Sequence, residues 1–472
     1  MVPKEGKKVK VRFAPSPTGL LNIGGVRTAL FNWLFARHEE GVFILRIEDT
    51  DTQRSEVRYE EDIKKSLEWL GLSWDKLYRQ SDRLERYKFY LEMLLEKKYA
   101  YYCFCSEKEL EDEYQAQLSQ GISPKYSGRC KSLSDEEVGK RLQKESGVIR
   151  FKVSEKEISF HDLVRGKVTF DTRLIGDIII AKGLNEPLYN FANVVDDFEM
   201  GITHVVRGEE HISNTPRQIA LQEALGFPSL IYAHLPLILG SNKKKLSKRD
   251  LAKSINDYKA EGYIPEAMVN FLVLLGWHPK KDREILSMRE MIDEFGFERV
   301  QKAGGIFNPE KLDWLNGHYL RSKSVDELVE MLDIFIPVRW KKDKERIRKV
   351  VEVEKERMKR LGEFISLSDF FFELQDYEKT LLVWKKSNEK DTLENLKLIH
   401  TALVSLEDFS RVSVENIVHP IAEARGRGDV LWPLRAALSG KTASPGPFEL
   451  LEILGEKESL ERISVAIKKL NS

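Results

Sequence analysis

The chain has 472 residues, 42% hydrophobic and 32% charged, and its 76 basic and 76 acidic side chains cancel. That length calls for about two to five domains, and the charge balance argues mildly against a uniformly basic nucleic-acid binder. No apolar stretch approaches the ~18 residues that cross a bilayer, no apolar run follows the basic start from Met1 to Lys10, and the three cysteines are too few for a disulfide framework; no membrane span, no secretory signal and a reducing cytoplasm are expected.

Lys8 to Ala14 alternates as a buried strand does, and Pro15, Pro17 and Gly19 break it. From Gly24 the period changes: Val26, Ala29, Leu30, Trp33 and Leu34 recur at helical spacing, and Val42 to Ile47 reads as the next strand. Strand, loop, helix and strand make a βαβ crossover, which predicts a parallel sheet with a ligand at the strand-to-helix loop. Residues from about 85 to 185 hold all three cysteines and a polar stretch with Gly121, Pro124 and Gly128, and read as an insertion between two halves of the sheet. Sheet patterns return at Leu188 to Val195, Thr203 to Arg207 and Leu230 to Leu239, with a helix between the last two, capped by Ser213 or Asn214 and with Pro216 in its first turn. After Asp250 the chain reads as helical, most clearly over Arg346 to Leu361, Thr392 to Leu406 and Leu450 to Leu470. Lys243, Lys244, Lys245, Lys248 and Arg249 form a basic knot and Arg339 to Arg360 a second basic region; a solvated helix face is the bland reading of each.

The loop from Phe13 to Gly25 carries two prolines, Ser16, Thr18 and three glycines just before a helix. Small residues let a ligand approach the backbone, and a helix N-terminus offers unpaired N–H groups and partial positive charge, so this is an anion site suited to a nucleotide triphosphate. An ordinary tight turn is the competing reading. The segment resembles the first signature of the class I aminoacyl-tRNA synthetases in its glutamyl form. That form usually reads His-x-Gly-Gly, whereas this chain has Asn22-Ile23-Gly24-Gly25. In the family the imidazole contacts the ATP phosphates; Asn donates through its amide but cannot become cationic.

Lys245-Leu-Ser-Lys-Arg249, after a strand and Gly240, resembles the KLSKR form of the second class I signature. Two such signatures in this order, with an insertion between, strengthen one another. The resemblance implies that Lys245 and Lys248 are the catalytic cations, placed where charge develops on pyrophosphate, and that Ser16, Asn22, Gly24, Gly25 and Lys248 bind ATP with Mg²⁺. It also implies a glutamate pocket of Arg12, Ser16, Glu48, Tyr189, Asn193 and Arg207. Glu48 lies in the run Arg46 to Asp51, which ends the second strand and whose carboxylates also suggest metal or base chemistry. Adenylate formation needs no base, so Glu48 reads better as partner of a substrate ammonium. Arg207 suits a side-chain carboxylate, which guanidinium grips as a fork; a structural ion pair with Asp196 or Glu209 is its alternative. His204 and His211 read as structural or near ATP.

Phe160 to Gly166, Ser213 to Gln218, Lys311 to His318 and Pro433 to Leu438 extend the resemblance over nearly the whole chain. It implies a Rossmann-type α/β catalytic domain at 1–87 and 188–244, split by an α+β insertion at 88–187 that binds the tRNA acceptor end. A stem-contact domain at 245–322 and all-α anticodon domains at 323–380 and 381–472 follow. Arg357 and Arg435 sit where anticodon contacts are plausible. The expected partners are tRNA(Glu), with tRNA(Gln) open as a second acceptor, ATP and L-glutamate, with the chain acting as a monomer in the cytoplasm. Cys103-x-Cys105 and Cys130 match zinc-bearing members of the family. The fourth ligand there lies where this chain has Ser132, a poor one; Tyr126 is the substitute, as in a shorter relative that modifies queuosine in tRNA. A Zn²⁺ site and three small buried thiols are both open. So are two other identities, a glutaminyl enzyme, whose anticodon module is β-rich, and a non-catalytic paralogue.

Overall fold

The computed structural model describes residues 8–51, 53–244, 253–385 and 387–472. The chain divides into two compact units, Met1–Tyr258 with Pro265–Leu312, and Lys259–Ile264 with Asp313–Ser472. Among the described residues no helix is long and apolar enough to cross a membrane.

The first unit opens with strand β1 (Lys10–Phe13), helix α1 (Ile23–His38) and strand β2 (Val42–Ile47). β1 and β2 are parallel, with Val11 opposite Phe43, so the change of period at Gly24 does mark a βαβ crossover. Asn22, in extended conformation, starts α1: its side-chain oxygen accepts the Gly25 amide at 3.0 Å. Asn is among the strongest N-caps because that bond satisfies a donor the helix leaves orphaned. Arg37 and His38 close the last turn, where the helix dipole favours cations. Val26, Ala29, Leu30 and Leu34 are fully buried. Helix α2 (Val57–Trp69) leads to β3 (Lys76–Arg79), parallel to β2.

Helix α3 (Leu84–Glu96) crosses the start of the 88–187 segment and strand β4 (Ala100–Cys103) lies within it. Helices α4 (Glu107–Ser119) and α5 (Asp135–Leu142) each begin with a serine capping box, Ser106 with Glu109 and Ser134 with Glu137. Strands β5 (Val148–Phe151), β6 (Glu157–Asp162), β7 (Gly166–Asp171), β8 (Ile178–Gly183) and β9 (Glu186–Pro187) then serve two sheets. β4, β5, β8 and β9 form an antiparallel sheet. β6 and β7 form a hairpin that leaves it.

Helix α6 (Tyr189–Glu199), strand β10 (His204–Gly208), helix α7 (Thr215–Leu225) and strand β11 (Ile231–Leu235) return to the catalytic sheet. β10 and β11 are parallel, and Asp162 of β6 pairs opposite Tyr232, giving the order β10-β11-β6-β7. The Thr203 amide donates to the Lys10 carbonyl at 3.0 Å, so β10 begins beside β1. The strand expected over Leu188 to Val195 is instead the start of α6. Its polar residues Asn193, Asp196 and Asp197 are buried along with Phe191, Ala192, Val194 and Val195, so no solvent face marked the helical period. The helix α7 is as expected, but Asn214 makes no side-chain cap, because a 3₁₀ turn over Glu209–Asn214 runs directly into it.

Leu230 to Leu239 is two strands, since Pro236, which has no N–H to donate, separates β11 from β12 (Ile238–Leu239). Helices α8 (Ile255–Ala260), α9 (Pro265–Leu274) and α10 (Met288–Glu294) follow, and β13 (Gly305–Ile306) pairs in parallel with β12.

Beyond β13 every described helix or strand is helical: α11 (Pro309–Ser322), α12 (Val325–Leu332), α13 (Lys344–Glu354), α14 (Phe364–Phe372), α15 (Glu389–Val404), α16 (Arg411–Arg425), α17 (Arg427–Ser439) and α18 (Pro447–Asn471). Leu396, Ile399 and Leu403 of α15, Val430 and Leu434 of α17, and Leu450 and Ile463 of α18 are fully buried, forming the core of this end. The helix read over Arg346 to Leu361 stops at Glu354, where the chain turns and Arg357 folds back onto the Glu354 carboxylate at 2.7 Å. α18 is broken at Gly455, whose φ of 74° and ψ of 173° suit glycine and no other residue.

Candidate active site

The loop after β1, the ends of β2 and β10 and the start of α6 enclose a cleft of about 400 Å³. Arg12, Ser16, Asn22, Gly24, Gly25, Glu48, Tyr189, Asn193 and Arg207 all line it. Elements distant in sequence thus bring the proposed nucleotide and amino-acid groups together, at the ends of strands β1, β2 and β10, where parallel sheets place their ligands. Hydrogen bonds from neighbouring elements fix the loop. Asp62 accepts the Leu21 amide at 2.7 Å, and the Glu48 amide donates to the Pro15 carbonyl at 2.9 Å. A Cβ on Gly25 would lie 2.9 Å from the Leu21 side chain. Ser254 bridges to Asn22, and the Ile255 amide donates to the Leu21 carbonyl at 3.0 Å. Residues 254 and 255 are therefore tied to the loop between β1 and α1. The Lys245-Leu-Ser-Lys-Arg249 motif, with both expected catalytic lysines, lies outside the described residues.

The floor is an ion-pair network in which Arg46 and Asp197 have central places that the sequence did not reveal. Arg46 is fully buried; it donates to Asp197 at 2.7 Å, Asn193 at 2.6 Å and Glu48 at 3.1 Å. Asp197 also takes Arg12 at 3.0 Å, so one carboxylate orients two arginines. Burial pushes the Asp197 carboxyl up, but Arg12 and Arg46 more than reverse this and hold it below the usual range. Glu48 differs: burial pushes its carboxyl up and Arg46 and Arg12 only partly offset the effect. The other carboxylates of the Arg46 to Asp51 run turn elsewhere. Asp49 accepts Ser81 at 2.6 Å, and Asp51 pairs with Arg54. The run is thus no metal cluster.

Arg207 is 5% exposed and makes neither of the ion pairs weighed for it. Its Nη1 donates to Gln218 at 2.9 Å, its Nη2 to Thr215 at 2.8 Å and its Nε to His234 at 3.3 Å, all neutral acceptors. A desolvated guanidinium with no carboxylate partner is costly unless an anion completes it. Tyr189 stacks near His211, with its hydroxyl 3.4 Å from Nδ1. Burial, then Arg207, lower the His211 pKa, so the ring is neutral and no cation. His204 lies edge-on to Phe35 at 5.0 Å, and burial lowers its pKa to about 4; it is a packed ring and lines no part of the cleft.

In the second sheet, Cys103, Cys105 and Cys130 bring their sulfurs within 4.8 Å of one another. Tyr126 joins them: its hydroxyl is 3.3 Å from the Cys103 sulfur and 3.4 Å from that of Cys105, while the Cys105 and Cys130 sulfurs are 3.6 Å apart. Tetrahedral zinc with bonds of about 2.3 Å to sulfur and 2.0 Å to oxygen sets S···S near ~3.8 Å and S···O near ~3.5 Å. The Cys105–Cys130 distance and the two Tyr126 distances match these spacings, and the remaining sulfur pairs lie within 4.8 Å. Burial raises the Cys105 thiol to about 11, which leaves it protonated without a metal.

In the helical unit, Arg357 pairs with Glu354, which is fully buried. Arg435 lies over the Trp432 ring at 4.4 Å and donates to Ser444 at 2.9 Å. Burial lowers the Arg435 pKa, with Arg357 near enough to contribute.

Residues 8–314 match the family described as tRNA synthetases class I (E and Q), catalytic domain, and residues 323–467 match an anticodon binding domain. The chain is 43% identical to the glutamate-tRNA ligase 2 of Thermoanaerobacter pseudethanolicus over 98% of each chain. It is 44% identical to the glutamate-tRNA ligase of Thermodesulfovibrio yellowstonii over 96% of this chain and 98% of that one. A crystal structure of a glutamate tRNA ligase from Elizabethkingia meningosepticum, in complex with its amino acid, is 37% identical and superimposes with a TM-score of 0.88 over 98% of this chain and 100% of that one. With a parallel catalytic sheet, a cleft at its strand ends and a helical anticodon end, the chain belongs to the class I tRNA synthetases of the glutamate and glutamine group.

Proposed function

We propose that the chain joins L-glutamate to the 3′-terminal adenosine of tRNA(Glu), using ATP with Mg²⁺. The observation that carries this reading is Arg207: a buried guanidinium in the cleft whose partners among the described residues are all neutral, suited to a side-chain carboxylate. Glu48, across the cleft, meets the substrate ammonium. Its raised carboxyl ionises more readily once that cation arrives. Arg12 and Arg46 hold Asp197 and Glu48 in place, and Tyr189 and Asn193 close the pocket. The α-carboxylate of glutamate attacks the α-phosphorus of ATP and pyrophosphate leaves; the terminal ribose hydroxyl of tRNA then attacks the carbonyl carbon of the adenylate and AMP leaves. Ser16, Asn22, Gly24 and Gly25 contact ATP. Lys245 and Lys248 stabilise the leaving pyrophosphate, a role that rests on the KLSKR motif alone.

The segment 88–187 grips the acceptor end, 245–322 contacts the stem, and 323–380 and 381–472 read the anticodon, with Arg357 and Arg435 among the reading groups. Cys103, Cys105, Cys130 and Tyr126 hold a structural Zn²⁺, supported by the donor spacing above. We take the enzyme to work as a monomer in the cytoplasm, which its free thiols fit. Glutamate- and tRNA-dependent exchange of pyrophosphate into ATP tests the reading: glutamate must drive exchange, and a chain that binds tRNA without exchange is a binding module. Charging tRNA(Glu) and tRNA(Gln) side by side separates the discriminating form from the dual one.

A further inference from the structure

The groups that hold Arg207 carry a consequence for selectivity, which rests on the glutamate reading above. Arg207 is the penultimate residue of β10, and its guanidinium meets Thr215 and Gln218 of α7 and His234 of β11. Thr215, Gln218 and His234 are all buried, His234 completely. Asp162, the last residue of β6, is also fully buried and lies 2.6 Å from His234 Nδ1. Its charge is met by the amides of Val164 at 2.9 Å, Arg165 at 2.8 Å and His234 at 3.1 Å. Burial opposes an ionised Asp162, yet His234 and these amides hold it below the usual carboxylate range. Asp162 therefore accepts the Nδ1 proton, and burial keeps the His234 ring neutral. That fixes the tautomer, leaving Nε2 as an acceptor for Arg207. The Thr215 hydroxyl, 3.0 Å from Nε2, donates there while accepting Arg207 Nη2. Gln218 is oriented in turn, because its amide nitrogen donates to Asn190 at 3.2 Å.

We propose that Thr215, Gln218 and the Asp162–His234 pair are specificity-determining positioning residues: they fix the guanidinium through neutral atoms only, so that Arg207 keeps its whole charge for the substrate carboxylate and glutamine is refused. A carboxylate at any of these places would satisfy Arg207 from within the protein. The pocket would then hold a neutral fork, and the advantage of glutamate over glutamine would fall. The β6–β7 hairpin matters here because it carries Asp162 into the catalytic sheet from the segment that otherwise forms a separate sheet.

The sharpest variant is Gln218→Glu, which keeps size and shape, adds a negative charge and turns the donor to Asn190 into an acceptor. The preference for glutamate over glutamine in pyrophosphate exchange should fall by about 10- to 100-fold, the worth of one charged hydrogen bond. The loss should appear in KM for glutamate, with KM for ATP little changed. His234→Gln, whose side-chain oxygen can replace the Nε2 acceptor, should retain most of the selectivity; His234→Phe should not. Thr215→Val, a near-isosteric change, should raise KM for glutamate alone and serves if the His234→Phe protein fails to fold. Unchanged selectivity in Gln218→Glu, in a wild-type chain that does activate glutamate, overturns the proposal. Equal increases in KM for ATP and glutamate across the variants also overturn it, by showing general structural damage. A wild-type chain that does not activate glutamate overturns the functional reading beneath it.

Discussion

Asn22 stands where the glutamyl signature usually has His, and its side chain has two separable jobs. Its oxygen caps α1 through the Gly25 amide at 3.0 Å, while its amide nitrogen is left to serve the proposed phosphate contact in the cleft that Asn22 lines. Asn22→Ala removes both. The lost cap costs about 1 kcal/mol of stability, and the lost neutral donor about 1 kcal/mol of barrier, or less than tenfold in rate. Asn22→Asp keeps the cap, since Asp is as good an N-cap, but places a negative charge beside the triphosphate. Two unit charges about 4 Å apart at an effective dielectric near 20 repel by about 4 kcal/mol, or about 10³ in activation rate. Asn22→His keeps a donor and should match or raise activation, within about tenfold, while losing part of the cap. Thermal melts report the cap and pyrophosphate exchange reports the phosphate contact. An Asn22→Asp chain that activates glutamate at the wild-type rate would refute the placement of Asn22 against ATP. One as destabilised as Asn22→Ala would refute the cap.

Lys248→Ala should slow adenylate formation by about 10²–10³, the scale of one preorganised stabiliser, and leave transfer from preformed adenylate nearly intact; in single-turnover experiments, equal damage to both steps contradicts the role. Protein prepared without chelator should carry about one zinc by elemental analysis and lose it more readily as Tyr126→Phe; well under one equivalent rules the site out. Glu354 offers a pH test, because burial raises its carboxyl to about 7 against Arg357. Between its ordinary value near 4.5 and 7 the folded chain binds a proton that the unfolded chain has released, so stability falls as pH rises through that window. The full span is worth about 3 kcal/mol. Glu354→Gln should flatten that slope in melts from pH 4.5 to 8, and an unchanged slope assigns it to other groups.

The loop between β1 and α1 was legible because prolines and glycines interrupt one periodic pattern just before another begins. The helical anticodon end was legible because long apolar periods survive in α15 and α18, even though Gly455 breaks α18. The ion-pair floor was not. Arg46 and Asp197 are separated by 151 residues, and a charged residue in a strand carries no mark of what it will meet. α6 was misread because Asn193, Asp196 and Asp197 are buried beside its apolar residues, and hydrophobic period is blind to carboxylates that are paired instead of solvated. The path of β6 and β7 into the catalytic sheet depends on one strand pairing, at Asp162 and Tyr232, which local sequence does not encode.

The most direct test of the account is charging itself. The purified chain, with ATP, Mg²⁺ and tRNA(Glu), should esterify labelled glutamate to the 3′-terminal adenosine and leave labelled glutamine unused, and Arg207→Leu should lose the glutamate reaction by orders of magnitude. Esterified glutamine, or glutamate charging undiminished in Arg207→Leu, would contradict it.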